Sequence, residues 1–274
     1  MKALMIQGTS SGAGKTLLVA ALCRIFSDMG IDVAPFKSQN MSKFAYKGRG
    51  FEISQAQAVQ ALAARCEITP DLNPVLLKPL GEDLSAIYVG GRYRKKMRAK
   101  NYYKQTGSLL EEISSAMSRL KKSHDLLVIE GAGSPAEINL QRYDIANMRI
   151  AKMAGASVLL VSDIERGGSF ASLVGTMSLI ETRYRSLVRG FVLNKFRGDP
   201  GILKPGIRKL YHITRVPVLG VMPMMRINLP EEDSLGARQG VWDGRHTPKI
   251  DREIDRLAQT ARENLDMKKI EAMI

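Results

Sequence analysis

Apolar and polar positions along the chain follow two alternating periods. Short apolar runs at residues 2–7, Asp32–Phe36, Leu126–Ile129, Ser157–Val161, Phe191–Leu193 and Val216–Leu219 have the length of buried strands. Between them lie longer segments in which apolar residues recur every three or four positions. Residues 15–29 set Leu18, Ala21, Leu22, Ile25 and Met29 on one helical face, and Gly30 ends that helix. Residues 53–66 align Ile53, Ala56, Val59, Ala63 and Cys66 in the same way. Further helices are predicted near 108–121, 143–154, 169–182 and 201–211. Strand–helix alternation of this kind implies right-handed crossovers and an α/β fold: a mostly parallel sheet with helices on both faces. Ligands of such sheets bind beyond the carboxyl ends of the strands, so the residues that follow each strand are where chemistry is expected. Two regions depart from the pattern. Residues 223–249 are rich in Pro, Gly and charge and read as a linker after a domain spanning 1–222. Residues 250–274 then place Ile254, Leu257, Ala258, Ala261, Leu265 and Ile270 at helical spacing, as one amphipathic helix docked on that domain.

Composition narrows the class. The 274 residues are 45% hydrophobic and 25% charged, enough for an ordinary core and unlike a disordered chain. No apolar run approaches the ~20 residues of a membrane span. The first residues run directly into a glycine loop rather than a secretion signal, so the expected compartment is the cytoplasm. Two cysteines, Cys23 and Cys66, exclude a disulfide-stapled scaffold, and both fall on apolar helix faces as buried thiols. His124, His212 and His246 show no metal-ligand spacing. The net charge of +14 points to an anionic partner without saying which. Part of it sits between Arg92 and Lys104, where seven Lys/Arg and no acid are interleaved with Tyr93, Tyr102 and Tyr103. That pattern suits single-stranded nucleic acid, a small polyanion, or a solvated helix face.

Candidate chemistry appears at the strand ends. Gly8-Thr9-Ser10-Ser11-Gly12-Ala13-Gly14-Lys15-Thr16 joins the first strand to the first helix, the context a phosphate loop requires. Its backbone N–H groups would cradle phosphates, Lys15 would reach the β- and γ-phosphates, and Thr16 would ligate Mg²⁺. The strict pattern places a glycine where Thr9 stands, whereas here the glycine comes one position earlier, at Gly8. Glu130-Gly131-Ala132-Gly133 follows another strand, which sets a carboxylate opposite the loop for Mg²⁺, with Gly131 and Gly133 beside it toward substrate. Lys37-Ser38-Gln39-Asn40 gathers a cation and polar groups at a third strand end, suited to an anionic substrate near the γ-phosphate. Asn194-Lys195 ends a fourth, where Asn194 is a candidate contact to the nucleotide base.

Longer motifs carry a resemblance. Met5-Ile-Gln-Gly-Thr-Ser-Ser-Gly-Ala-Gly-Lys-Thr, Ala34-Pro-Phe-Lys-Ser-Gln-Asn-Met-Ser, Glu52-Ile-Ser-Gln-Ala-Gln and Asn73-Pro-Val-Leu-Leu-Lys-Pro closely resemble the cobyric acid synthase family. So do Glu130-Gly-Ala-Gly-Ser-Pro-Ala-Glu-Ile-Asn-Leu, Asp163-Ile-Glu-Arg-Gly-Gly-Ser-Phe-Ala, Asn194-Lys-Phe-Arg-Gly-Asp and Leu229-Pro-Glu-Glu-Asp-Ser. The likeness runs in order over about residues 1–235. It implies a P-loop fold of the dethiobiotin synthetase type and a role in vitamin B12 synthesis: ATP-dependent amidation of carboxylates on a corrin ring. By the same resemblance Lys15 and Thr16 bind ATP and Mg²⁺, Glu130 and Glu52 are metal carboxylates, and Lys37 meets the carboxylate being activated.

The family's glutaminase domain, with its nucleophilic Cys, has no counterpart in these 274 residues; after the linker, Lys249 onward is similar to the family's final helix. The chain is therefore expected not to hydrolyse glutamine, taking ammonia free or from a separate glutaminase subunit. A homodimer is compatible with this reading and nucleic acid is disfavoured. Two rivals stay open. One is a switch or partitioning ATPase that binds nucleic acid, although such ATPases often carry an extra lysine where Ser10 and Ser11 stand. The other is a non-catalytic scaffold of the same fold.

Overall fold

A computed structural model describes residues 2–230, 242 and 244–274. The chain runs β1 (Lys2–Gly8), α1 (Lys15–Asp28), β2 (Val33–Phe36), β3 (Gln39–Met41), β4 (Ala45–Lys47), β5 (Glu52–Ser54) and α2 (Gln55–Ala64). It continues through β6 (Val75–Pro79), β7 (Leu84–Val89), β8 (Arg92–Arg98), α3 (Ala99–Tyr102), α4 (Thr106–Ser123), β9 (Leu126–Glu130), α5 (Met148–Ala154) and β10 (Ser157–Asp163). It ends with α6 (Ser169–Leu179), α7 (Thr182–Arg185), β11 (Val188–Phe196), α8 (Lys204–Thr214), β12 (Val218–Pro223), α9 (Pro248–Asn264) and α10 (Met267–Glu271).

Six strands form the central sheet in the order β12-β11-β10-β1-β9-β2, all parallel. Alternate side chains enter two cores. Leu4 and Ile6 of β1 pack with Leu22, Phe26 and, from α9, Ile254 and Leu257. Ala3 and Met5 join the opposite core with Ile113 of α4 and Ile150 of α5. Strands buried on both faces read as unbroken apolar runs, which is why these six were visible in the sequence. From β1 the chain passes out to β2, returns to β9 beside β1, and then crosses to β10 on its other side. β1 is thus the topological switch point, and the loops after β1 and β9 are neighbours at the carboxyl edge.

A second sheet, β3-β6-β7-β8, departs from expectation. β3 and β6 pair in parallel and β6-β7-β8 pair antiparallel. The basic run is therefore not a helix face over its first half: Arg92–Arg98 is an edge strand in which only Met97 is buried. Lys and Arg along an open edge oppose pairing with another chain. The segment predicted as one helix over 53–66 divides likewise. Glu52–Ser54 pairs with Ala45–Lys47, and the helix starts only where Ser54 Oγ accepts the Ala56 amide. Over 143–154 the helix begins at Met148, because the Asp144 carboxylate accepts the amides of Ala146, Asn147 and Arg149 ahead of it.

The carboxyl-terminal segment is two helices rather than one. The chain breaks at Leu265, which bridges to Gly220 of β12, and the Asp266 amide donates to Leu219 O at 2.7 Å. Gly220 permits this approach, since a Cβ there would lie 2.3 Å from Asn264 O. Of the segment expected to be a linker, 231–241 and 243 lie outside the described residues. Trp242 packs on Tyr46, with ring centroids 6.0 Å apart. No helix among the described residues is long and apolar enough to cross a membrane.

α9 is fastened to α1 by a buried cation. The Arg24 side chain is 4% exposed and meets Asp251 at 2.7 Å and Asp255 at 3.5 Å. Burial tends to raise the Asp251 pKa, but the Arg24 hydrogen bond and the charges of His246 and Arg24 together hold it below the usual carboxylate range. A depressed carboxylate stabilises the fold above its unfolded pKa of about 4, and that contribution is lost as pH falls through the lower folded value. Asp251→Asn should cost about 1–2 kcal/mol in urea unfolding at pH 7, in the lower part of the range for an orphaned buried donor because Asp251 is a third exposed and Asp255 remains. The difference from the unaltered chain should shrink below pH ~4; a pH-independent difference would assign the cost to something other than this charge.

Candidate active site

The loop after β1 has the geometry of an anion cradle. Gly12 and Gly14 adopt φ of +73° and +98°. The N-cap of α1 is Gly14, which has no side chain to cap the helix, and the first turn carries no acidic residue, so the positive end of the helix is not neutralised by its own first turn. The displaced glycine has a physical reason. A Cβ on Gly8 would sit 3.0 Å from Lys15 Nζ and 2.9 Å from Ser10 O, so Gly8 leaves room for the lysine to fold back. Lys15 is buried, and its Nζ donates to Ser10 O at 3.0 Å and to Gly133 O at 3.1 Å. Thr9 Oγ1 donates to Ser162 Oγ at 3.1 Å, tying the loop to β10.

Glu130, at the end of β9, is 1% exposed. Its Oε1 accepts from Thr16 Oγ1 at 2.9 Å and from Lys37 Nζ, at the end of β2, at 2.9 Å. Its Oε2 accepts from Gln60 Nε2 at 2.5 Å and from Gln57 Nε2 at 3.5 Å, both on α2. Gln60 also donates to Thr16 O at 3.2 Å, and Gln57 Oε1 accepts from Asn40 Nδ2 at 2.9 Å. The loop beyond Glu130 is pinned by Asn147 Nδ2, which donates to Ala132 O at 2.7 Å. Gly131 is small for the same reason, since a Cβ there would lie 2.4 Å from Asn147 Oδ1.

A cavity of about 570 Å³ opens over this cluster. Of the residues expected at a site, Ser11, Gly12, Gly14, Lys15, Thr16, Lys37, Gln39, Asn40, Glu130 and Gly133 line it. Met41, Ile227 and Leu229 add an apolar margin. Asn194 lies at an adjoining pocket of about 70 Å³, walled by Leu17, Met222, Met225 and Leu257. Its Nδ2 donates to Ala13 O at 2.9 Å, and a Cβ on Gly14 would come within van der Waals overlap of that nitrogen. Lys195, at φ +64°, joins Gly12 O and Asp163 Oδ2, each at 2.7 Å. Glu52 is not brought to the cluster. It pairs with Lys78 and does not line the cavity.

Thr16 and Glu130 fit a hard divalent cation, for they offer a hydroxyl and a carboxylate oxygen already in contact at the edge of the cradle. Among the described residues no group of three or more His, Cys, Asp or Glu gathers, here or elsewhere, so a cation at this edge would need oxygens from its ligand as well. The cysteines take no part: burial pushes the Cys23 thiol well up and the Cys66 thiol up to about 12, so both stay neutral. Gln57, Gln60 and the apolar margin were not anticipated as site residues from sequence, whereas Lys195 stood in the Asn194-Lys195 motif and is turned onto the loop backbone and Asp163. Two glutamines three residues apart on a helix whose other positions are mostly Ala and Val were the available signal, a polar pair on a face that the period assigns to the core.

Comparison with known proteins bears on this arrangement. Residues 4–234 match the family described as the CobQ/CobB/MinD/ParA nucleotide binding domain. The chain belongs to this family. Within the match lie the phosphate loop, Lys37, the α2 glutamines, Glu130 and Asn194. A protein named "Probable cobyric acid synthase" from Thermococcus kodakarensis is 55% identical over 236 residues, 85% of this chain and 49% of that one. Cobyric acid synthase from Dehalococcoides mccartyi is 52% identical over 238 residues, 85% of this chain and 47% of that one. The chain thus spans about half the length of the curated relatives it matches. Among solved structures, the MinD cell division protein of Aquifex aeolicus overlaps 96% of each chain at 13% identity and a TM-score of 0.47.

Removing one partner of a buried ion pair strands the other. Lys37→Met should destabilise the chain by about 3 kcal/mol in urea unfolding, and adding Glu130→Gln should recover most of it. A double variant no more stable than the single one would show that Lys37 acts on stability through something other than Glu130.

Proposed function

We propose that this chain is an ATP-dependent amide synthetase of the cobyric acid synthase type, acting in the cytoplasm on carboxylates of a corrin ring. The observation that carries the reading is the convergence of two buried lysines on the two ends of one loop. Lys37 reaches Glu130 and Lys15 reaches Gly133, below a cavity with room beyond the phosphate cradle. Identity of 50–55% with relatives of that name supports the substrate class.

The chemistry asked of this site is the joining of two anions. A side-chain carboxylate (R–COO⁻) attacks the γ-phosphorus of ATP, the bond to the β-phosphate oxygen breaks, and R–CO–OPO₃²⁻ and ADP form. The nucleophile is already charged, so no general base is needed and the barrier is largely electrostatic. Lys15, the loop amides and the N-terminus of α1 supply positive potential to the phosphates. Lys37 lies where it can exchange its bond to Glu130 for one to the incoming carboxylate. Thr16 and Glu130 would hold Mg²⁺, which when bound supplies further charge neutralisation. Asn194 and the small apolar pocket beside Gly14 are suited to the base. Ammonia then displaces phosphate, either from solution or from a separate glutaminase chain.

The test is one assay with ATP, Mg²⁺ and a cobyrinic acid diamide, supplied with ammonium or with glutamine, read by ADP release and product mass. Corrinoid-dependent ADP release with gain of amide groups is expected with ammonium. Lys15→Ala should lower turnover by orders of magnitude while leaving the circular dichroism spectrum unchanged. Salt-dependent binding of nucleic acid without corrinoid-dependent ADP release would instead favour a switch ATPase, and absence of ATP binding would favour a scaffold.

A further inference from the structure

The amide side chains around Glu130 have only one consistent orientation, and it fixes what Asn40 offers to the cavity. An ionised carboxylate accepts and never donates, so Gln60 must turn its NH₂ toward Glu130 Oε2. The second contact of that NH₂, to the carbonyl of Thr16, also requires a donor. Gln60 Oε1 is therefore directed to Gln57, whose NH₂ faces two acceptors, Gln60 Oε1 and Glu130 Oε2, each at 3.5 Å. A flipped Gln57 would set its oxygen against both of them. Its Oε1 is left to accept from Asn40 Nδ2 at 2.9 Å. Asn40 thus turns its NH₂ toward the buried network, where one N–H is given to Gln57. Its Oδ1 has no hydrogen-bond partner among the described residues and is not among the fully enclosed unpaired atoms, while the residue lines the cavity.

An unpaired amide oxygen is out of place beside groups suited to anions. Lys15 and Lys37 present cations, and Gln39, whose Oε1 accepts from Tyr102 OH at 2.8 Å, has its NH₂ left for an acceptor. A carboxylate or phosphate oxygen would be repelled by Asn40 Oδ1. A small N–H donor would be held by it.

We propose that Asn40 Oδ1 is the docking acceptor for ammonia, and that Gln57 is the positioning residue that keeps that oxygen turned to the cavity. This rests on the amide-synthetase reading. In the step concerned, the ammonia lone pair forms the C–N bond, the bond from carbonyl carbon to phosphate oxygen breaks, and the phosphate leaves with its electron pair. One proton from nitrogen passes to that phosphate, so R–CO–OPO₃²⁻ and NH₃ give R–CO–NH₂ and HPO₄²⁻. Asn40 accepts a hydrogen bond and takes no proton; it orients the nitrogen and keeps it in place of water.

The experiment measures the KM for ammonium and the ADP released per amide formed, with ATP, Mg²⁺ and a cobyrinic acid diamide saturating, and the Kd for ATP by calorimetry. In Asn40→Ala the ammonium KM should rise tenfold or more and the ADP-to-amide ratio should climb above one, as water takes the activated carboxylate. The Kd for ATP should stay within twofold. Gln57→Met, which touches no substrate and leaves Asn40 free to rotate, should raise the ammonium KM by a smaller factor, and it keeps the test open if Asn40→Ala does not fold. An unchanged ammonium KM in both variants, with corrinoid-dependent ADP release intact, overturns the proposal alone. A rise confined to the ATP Kd or to the Mg²⁺ requirement overturns it too, by assigning the oxygen to a nucleotide hydroxyl or a metal-bound water. Absence of corrinoid-dependent ADP release from the unaltered chain overturns the underlying reading and this proposal together.

Discussion

A carboxylate as enclosed as that of Glu130 must find charge and hydrogen-bond donors inside the protein, and the surrounding elements are arranged to provide them. β9 delivers it, α1 brings Thr16, β2 brings Lys37, and α2 brings Gln57 and Gln60. Glu130, Thr16 and Lys37 lie at the ends of their elements nearest the carboxyl edge of the sheet, and Gln57 and Gln60 reach in from α2, so the anion fixes how four elements sit relative to one another. The cost of burying Glu130 is offset only while all four are in place. The same constraint makes the site rigid before any ligand arrives, the condition under which fixed dipoles and charges are most effective.

The phosphate cradle depends on this node from one side and on tight backbone packing from the other. Gly8, Gly14 and Gly131 each stand where a methyl group would collide with a functional side chain: Lys15, Asn194 and Asn147 respectively. The unusual place of the first loop glycine follows from the return path of Lys15 and the close approach of Ser10 O, not from a positive φ, which Gly8 lacks. α9 closes the far side. Leu257 walls the pocket beside Gly14, and the Arg24 ion pairs hold that helix against α1, whose first turn is the cradle. The carboxyl-terminal segment is therefore part of the wall around the site rather than an appendage to it.

Legibility from sequence followed the source of each element's stability. The six strands of the central sheet were visible because both faces are buried, and α1 because one face meets the sheet. β6, β7 and β8 were not anticipated, since β8 is a solvated edge whose five exposed cations hide any alternation. The short β5 was absorbed into the helix that follows, because Ile53 fits either period. At the site, residues in strand-end motifs could be located by position alone: Lys15, Thr16, Lys37, Gln39, Asn40 and Glu130 line one cavity. Glu52 could not be placed that way, for its fate depends on Lys78 of a sheet the sequence did not disclose. Gln57 and Gln60 carried a signal, a polar pair on a core face, but no role could be read from it, because helical period marks which face is buried and not what that face is buried against.

The distribution of charge carries the argument one step further than its total. A net +14 suggests anionic ligands, but the cations divide into two populations with different physics. Lys15, Arg24 and Lys37 are buried and held by carbonyls or carboxylates, where low effective dielectric makes each worth far more than in water. Arg92, Arg94, Lys95 and Lys96 are exposed on an edge strand, screened by salt, and contribute a weak, long-range potential. Of the first population only Lys15 and Lys37 line the cavity, and Arg24 is spent on α9, so the cations at the site are a small fraction of the excess. On β8 the exposed cations oppose pairing of an open sheet edge, and surface charge of one sign favours solubility. A strongly basic composition is thus compatible with a cavity at which only two lysines, one carboxylate and three mutually oriented amides meet.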